Sequence, residues 1–76
     1  MEELVRCLAR ALVAEPSRVR VEEFEEGDTF VVELEVAQSD LGRVIGRHGR
    51  TAQALRTIVA AVGRHHNETC ALEILD

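Results

Sequence analysis

The sequence is poor in aromatic residues, and it contains no lysine. Its 76 residues include two phenylalanines but neither tyrosine nor tryptophan, so a core must be assembled mainly from aliphatic side chains. No apolar run reaches the roughly 18–20 residues that cross a membrane, and the N-terminus lacks the basic and apolar regions of a signal peptide. A chain of this length predicts one domain, residues 1–76, and excludes a multi-domain enzyme. We therefore expect a small cytoplasmic protein that does not bind membranes.

Cysteine is also scarce. Cys7 and Cys70 stand far apart and form no CxxC pair, and without a secretory signal both are expected to be buried thiols. His65 and His66 lie near Cys70, but adjacent histidines chelate one ion poorly and a fourth ligand would have to come from elsewhere in the chain. No nucleophile, orienting acid or pocket is marked in the sequence. We expect no metal, no cofactor and no catalytic residue.

Charge is distributed unevenly along the chain. The net charge is −5, and residues 1–40 carry eleven acids against four arginines, whereas residues 41–66 carry five arginines, three histidines and no acid. Electrostatic attraction responds to the local field within a Debye length of about 8–10 Å, so a basic patch on an acidic protein still attracts anions. The guanidinium group of arginine also matches the oxygens of a phosphate.

The chain is predicted to begin with an amphipathic helix over residues 2–14. Its apolar positions follow the i, i+4, i+7, i+8 spacing of one buried stripe. The helix should end before Pro16, because the residue preceding a proline resists helical geometry. The predicted buried stripe consists of Leu4, Leu8, Ala11 and Leu12.

A β-hairpin is predicted next. Val19 and Val21 alternate with polar residues as in a strand, but Phe24 falls out of the alternation, which predicts a bulge or the end of the strand near Glu23. After a turn, the clearest strand of the chain runs over residues 29–36. The face of this strand that should point to the core consists of Phe30, Val32, Leu34 and Val36.

The C-terminal half is predicted to contain two helices and a strand. Ser39 or Asp40 caps a short helix through Ile45, and a longer helix runs over residues 50–62 with Gly63 as its C-terminal stop. A last strand over residues 69–75 turns Cys70, Leu72 and Ile74 toward the core. The order α-β-β-α-α-β predicts an α+β domain in which three helices pack on a three-stranded sheet.

The longer helix is apolar on two sides. One stripe suffices for the core, and a second stripe beside it contains Ala54, Ile58 and Ala61. In so small a domain the second stripe is expected to be covered by another subunit, and Ile58 is the residue predicted to lie in that interface.

The two predicted helices are joined by the turn Gly46-Arg47-His48-Gly49. Glycine allows backbone angles that other residues avoid and lets another molecule approach the backbone closely. The following helix turns its free N–H groups and its positive dipole end toward such a molecule, which suits an anion. The GxxG spacing alone is a weak signal, because a turn without a ligand explains it nearly as well. A phosphate loop of nucleotide-binding proteins fits less well, since no Gly-Lys-Ser/Thr follows.

Residues 45–56, IGRHGRTAQALR, resemble the core of a KH domain, and the order of elements is similar to that of the type II form. The whole chain resembles the KhpA family of small stand-alone KH proteins. This resemblance implies a three-stranded mixed sheet and binding of single-stranded RNA, with the GxxG loop clamping the backbone of about four nucleotides. It also implies a cytoplasmic RNA chaperone or regulator that is linked in some bacteria to cell length and cell-wall control. The partner implied is a second copy or a second, KhpB-like KH protein.

By position in the motif, the resemblance assigns the loop glycines to Gly46 and Gly49 and the variable pair to Arg47 and His48. The full set of residues expected to contact RNA is Arg43, Ile45, Gly46, Arg47, His48, Gly49, Arg50 and Arg56. The alternative function is a protein-interaction module, in which the acidic hairpin of a KH scaffold docks a partner and the loop contacts nothing.

Overall fold

A computed structural model describes residues 1–76 of the protein. The helices are α1 (Glu2–Leu12), α2 (Leu41–Ile45) and α3 (Arg50–His65), and the strands are β1 (Arg20–Glu26), β2 (Thr29–Glu35) and β3 (Thr69–Ile74). The strand order is β1-β2-β3, with β1 antiparallel and β3 parallel to β2. The helices pack on one face of this sheet. The predicted α+β fold with a three-stranded mixed sheet is therefore confirmed.

The core lies between the sheet and the helices. Val32 and Leu34 of β2 are 0% exposed and Phe30 and Val36 are half-buried against them, so the predicted apolar face of this strand is confirmed. Cys70 and Leu72 of β3 are buried on the same face, as the alternation predicts. From the helices, the fully buried residues are Ala9, Val44 and Val59.

The buried stripe of α1 is not the one predicted. Val5 and Ala9 are the buried positions, whereas Leu4 is only half-buried and Ala11 is exposed. Leu8 and Leu12, which were predicted to be buried, are half-buried against the core. The helix is apolar over more than one face, so its periodicity alone does not determine which stripe meets the sheet.

The predicted interruption of β1 was wrong. The ladder with β2 runs without a bulge from the pair Arg20–Glu35 to the pair Glu26–Thr29. Phe24 therefore lies on the sheet face that points away from the helices, directly opposite Val31. Glu23 occupies a helix-side position in the hairpin but is exposed, so the polar residue does not require the strand to end.

The predicted helix caps also need correction. Asp40 occupies the N-cap position of α2 but makes no capping bond, and neither does Ser39. The Asp40 carboxylate is 1% exposed and instead accepts hydrogen bonds from the N–H groups of Ala14 (2.9 Å) and Glu15 (3.0 Å). Both N–H groups therefore donate to Asp40 and not to helix carbonyls. Helix α1 ends at Leu12, two residues before the predicted end.

Gly63 does not end the longer helix that was predicted over residues 50–62. The helix continues to His65, and the chain then reverses through Asn67, which has a φ of 60°. Gly63 is buried, and a Cβ atom there would lie 2.8 Å from the Cys70 sulfur. Glycine is therefore required at this position for the close approach of α3 and β3 and not as a cap.

The two thiols differ in exposure. Cys70 is buried as predicted, but Cys7 lies on the outer side of α1 and is exposed, so that part of the prediction was wrong. Burial raises the pKa of the Cys70 thiol, and the nearby carboxylates of Glu68 and Glu23 raise it further. Cys70 is therefore held in its unreactive protonated form.

This difference predicts the outcome of a thiol titration. In the native protein, Ellman's reagent should label Cys7 quickly and Cys70 only at the rate of unfolding, because the reagent needs an accessible thiolate. Both thiols should react at once in guanidinium chloride. A Cys7→Ser variant, whose native state should show no fast phase, is the control. A fast reaction of Cys70 in that variant would contradict the packing described.

Candidate functional site

The connection between α2 and α3 is a tight turn built on positive φ angles. Gly46 has φ 77° and ψ 173°, and the residues Arg47–Gly49 form one 3₁₀ turn. Within it His48 (φ 57°) and Gly49 (φ 73°) are left-handed. The turn is closed by hydrogen bonds from the Gly46 N–H to the Gly42 carbonyl (2.9 Å) and from the Gly49 N–H to the Gly46 carbonyl (3.1 Å). The loop therefore has one defined backbone path.

The two glycines have different surroundings. A Cβ atom at Gly46 would lie 2.6 Å from the Cβ and 2.9 Å from the backbone N of Thr51, so the start of α3 packs directly on this glycine. A Cβ atom at Gly49 would meet no atom within 4 Å apart from those of the two adjacent residues. Gly46 is thus needed to build the loop, whereas Gly49 leaves open space over its backbone.

The loop lies at the N-terminus of a long helix. The 16 residues of α3 begin at Arg50. The Arg50 N–H donates to the Arg47 carbonyl of the turn, and the other N–H groups in the first turn of a helix lack an intrahelical partner. These groups, together with the helix dipole, favour a negative charge at this end. The loop and the free space at Gly49 therefore form a place where an anion can approach the backbone.

Basic side chains surround this end of α3. Arg47, His48 and Arg50 are all exposed, and no acid occurs in residues 41–66. Arg43 is on α2, where its Nε lies 3.2 Å from Oδ1 of Asp40 while its side chain stays 61% exposed. The ion pair fixes the base of this side chain and leaves the rest of the guanidinium group facing solvent.

The structure brings together all the predicted contact residues except Arg56. That residue lies six positions after Arg50, which is about 9 Å along the helix axis and about 120° around it. Ile45, the last residue of α2, is 37% exposed beside the loop, while its neighbour Val44 is fully buried. The loop is therefore bordered by arginines and by a small apolar surface.

Two residues that support the site were not identified as such from sequence. Asp40 connects the start of α2 to the end of α1, and it also pairs with Arg43. Thr51 covers Gly46. Their sequence context gave a signal only for a helix cap at Asp40, because both contacts depend on how distant or turned segments meet in space.

Other kinds of site have less support in the structure. The only cavity, of about 270 Å³, is an open polar depression that no loop residue lines; its lining residues are Arg18, Arg20, Glu35 and Val36. No three His, Cys, Asp or Glu side chains are grouped so that they could hold a metal ion. No helix has the length and apolar character needed to span a membrane.

The order of elements, the mixed sheet and the GxxG turn between two helices define a KH domain of type II. A family model described as the KhpA/KhpB KH domain matches residues 2–74. The chain belongs to this family of KH domains, and the resemblance inferred from the motif is confirmed.

Relatives of the chain are similar over all or nearly all of their length. A protein named RNA-binding protein KhpA from Aquifex aeolicus is 45% identical over 76 residues, which cover all of this chain and 96% of the relative. A protein of the same name from Halalkalibacterium halodurans is 43% identical over 100% of this chain and 100% of the relative. Another, from Treponema pallidum, is 44% identical over 99% of this chain and 94% of the relative. No solved structure matches the chain significantly.

Proposed function

We propose that the protein binds single-stranded RNA and clamps the RNA backbone with the loop Gly46–Gly49. The observation that carries this proposal is the open backbone at Gly49, placed at the N-terminus of α3 among exposed arginines. The names of the relatives, which describe RNA-binding proteins, support it. The family is not one of enzymes, and the proposed activity requires no catalysis and no cofactor.

In the proposed complex, a phosphate of the RNA lies over Gly49 and accepts hydrogen bonds from backbone N–H groups at the start of α3. Arg47 and Arg50 approach neighbouring phosphates, and Arg43 and Arg56 lie further along the strand on either side. A base rests on Ile45, which offers an apolar surface without aromatic stacking. Recognition then depends on the shape and charge of the backbone more than on the base sequence.

Fluorescence anisotropy with a labelled mixed-sequence single-stranded RNA tests the proposal. The double variant Arg47→Asp/His48→Asp should lose binding, because it puts two acids where the phosphate lies; aspartate tolerates the left-handed angle at position 48, so the fold should be retained. The matched control Arg64→Asp/His66→Asp makes the same change in charge at exposed positions at the other end of α3. It should bind RNA with nearly the affinity of the wild type.

Binding should also weaken with salt. If three to four phosphates are neutralised, the slope of log K against log[salt] should be about −2 to −3, at roughly −0.7 per phosphate of a single strand. Equal affinities of the wild type and the loop variant, or an affinity independent of salt, would contradict the proposal and favour the protein-interaction module instead.

We further propose that the protein acts in the cytoplasm as a small RNA chaperone or regulator, paired through α3 with a second copy or with another KH protein. Ala54, Ile58 and Ala61 are exposed along one flank of α3, and Ile58 is 38% exposed. Ile58 and Arg56 are two residues apart, so they point in directions about 160° apart around the helix axis. An interface at Ile58 therefore leaves the flank of Arg56 free.

The variant Ile58→Asp should be a folded monomer, because a charge buried in an interface without a partner is strongly unfavourable. The wild type should have the molar mass of a dimer in multi-angle light scattering. The matched control is Gln53→Asp, which puts the same charge at an exposed position of α3 about 140° around the helix axis from Ile58. A wild-type monomer, or a dimer that persists in Ile58→Asp, would contradict this interface.

A further inference from the structure

The sheet has a second face that no element of the fold covers. Alternate residues of each strand lie on it, and the register aligns them in rows across the three strands. Two adjacent rows at its centre are here named the open sheet face. The first row contains Phe24, Val31 and Ala71, and the second contains Glu22, Glu33 and Glu73.

The first row is apolar. Val31 is only 7% exposed although no helix lies over it, because its neighbours in the row are Phe24 and Ala71. Phe24 is 38% exposed and is among the large apolar side chains most accessible to solvent. The uncovered face of a sheet is usually polar. A protein-interaction surface, in contrast, has an apolar centre with a polar rim.

The second row places three like charges side by side. Glu33 is paired directly with Glu22 on one strand and with Glu73 on the other. Neighbouring strands are about 4.8 Å apart, and like charges that face each other across strands destabilise a sheet. None of these glutamates takes part in any salt bridge of the protein. No salt bridge of the free domain therefore offsets this repulsion.

We propose that the open sheet face binds a basic, amphipathic segment of another protein. An apolar side chain of that segment would pack on Phe24 and Val31, and its lysine or arginine side chains would pair with the glutamate row. Charge excludes the other candidates: a nucleic acid is repelled, and two copies placed face to face would bring their own glutamate rows together. The helices, α2 and its loop among them, pack on the opposite side of the sheet, so the two surfaces are separate.

The experiment is an NMR titration of the ¹⁵N-labelled full chain with the synthetic peptide KLKFKLK, with KGKGKGK as a probe of equal charge but no apolar side chains. The amide signals of Phe24, Val31 and Ala71 should shift saturably with the first peptide and much less with the second. In the variant Glu22→Gln/Glu33→Gln/Glu73→Gln the affinity should fall at least about tenfold. The control Glu3→Gln/Glu68→Gln/Asp76→Asn loses equal charge at exposed positions off this face and should keep its affinity within about twofold.

The glutamate-row variant should be at least as stable as the wild type, because a repulsion is removed. A thermal melt therefore separates a loss of binding from a loss of fold. The variant Arg47→Asp/His48→Asp should bind KLKFKLK at least as tightly as the wild type, which keeps this test independent of RNA binding. The proposal is overturned by shifts confined to the helices, by equal affinities of the two triple variants, or by no shift up to about 1 mM peptide.

Discussion

Replacing Asp40 with alanine is expected to destabilise the protein by about 3–4 kcal/mol, because two hydrogen bonds to a carboxylate are lost at about 1.5–3 kcal/mol each, partly offset by rehydration. The carboxylate is 1% exposed and is held by the N–H groups of Ala14 and Glu15 and by Arg43. A 76-residue domain has a total stability of only about 4–11 kcal/mol. The midpoint of thermal unfolding should therefore fall by roughly 15–25 °C.

Two further variants separate the charge of Asp40 from its shape. Asp40→Asn retains one acceptor oxygen but turns an NH₂ group toward a second N–H, so it should cost about 2 kcal/mol. Ser39→Ala removes a neighbouring exposed bond, from the Ser39 hydroxyl to Glu15 at 3.3 Å, and should cost less than about 0.5 kcal/mol. Urea unfolding followed by circular dichroism measures all three. A loss below about 1 kcal/mol in Asp40→Ala would show that the junction of α1 and α2 does not depend on the carboxylate.

The fold was largely predictable because its patterns are local. The alternation through β2 and the helical spacing of Leu55 and Val59 identify buried faces without any knowledge of what covers them. The candidate site was predictable for the same reason, since the loop and the adjacent arginines are contiguous in the chain. Arg56 was placed with the loop by its position in the sequence alone, and the helix carries it away from the others.

What could not be predicted depends on distant contacts. Asp40 carries the composition of a helix cap, but its partners Ala14 and Glu15 lie 26 and 25 residues away in the chain. The sequence does not distinguish a glycine that ends a helix from one that allows a strand to pack closely against the helix. Only the position of Cys70 in space shows that Gly63 has the packing role. The glutamate row exists only through the register of three strands. These features follow from tertiary packing and strand pairing, which the secondary-structure propensities of the individual residues do not determine.

The two loop glycines are expected to respond differently to the same substitution, although both have positive φ. Gly46→Ala should cost about 3 kcal/mol or more, because φ 77° and ψ 173° lie in a region that only glycine adopts readily. The new methyl group would also meet the Thr51 Cβ at 2.6 Å and its backbone N at 2.9 Å, and a backbone atom at the start of α3 cannot easily move. Gly49→Ala should cost only about 1 kcal/mol, since its left-handed conformation is open to alanine at a modest penalty.

Binding should separate from stability in these two variants. Both should bind single-stranded RNA at least about tenfold more weakly, equivalent to about 1.4 kcal/mol. In Gly46→Ala the backbone path of the loop must change, whereas in Gly49→Ala the methyl group occupies the space proposed for a phosphate.

Adding Thr51→Gly to Gly46→Ala should recover part of the stability, because it removes the Cβ contact but neither the backbone contact nor the strain in φ. Urea unfolding and RNA anisotropy on the same samples measure both quantities. Equal stabilities of the two single variants would contradict the packing of Thr51 on Gly46, and full RNA affinity in Gly49→Ala would contradict the phosphate position.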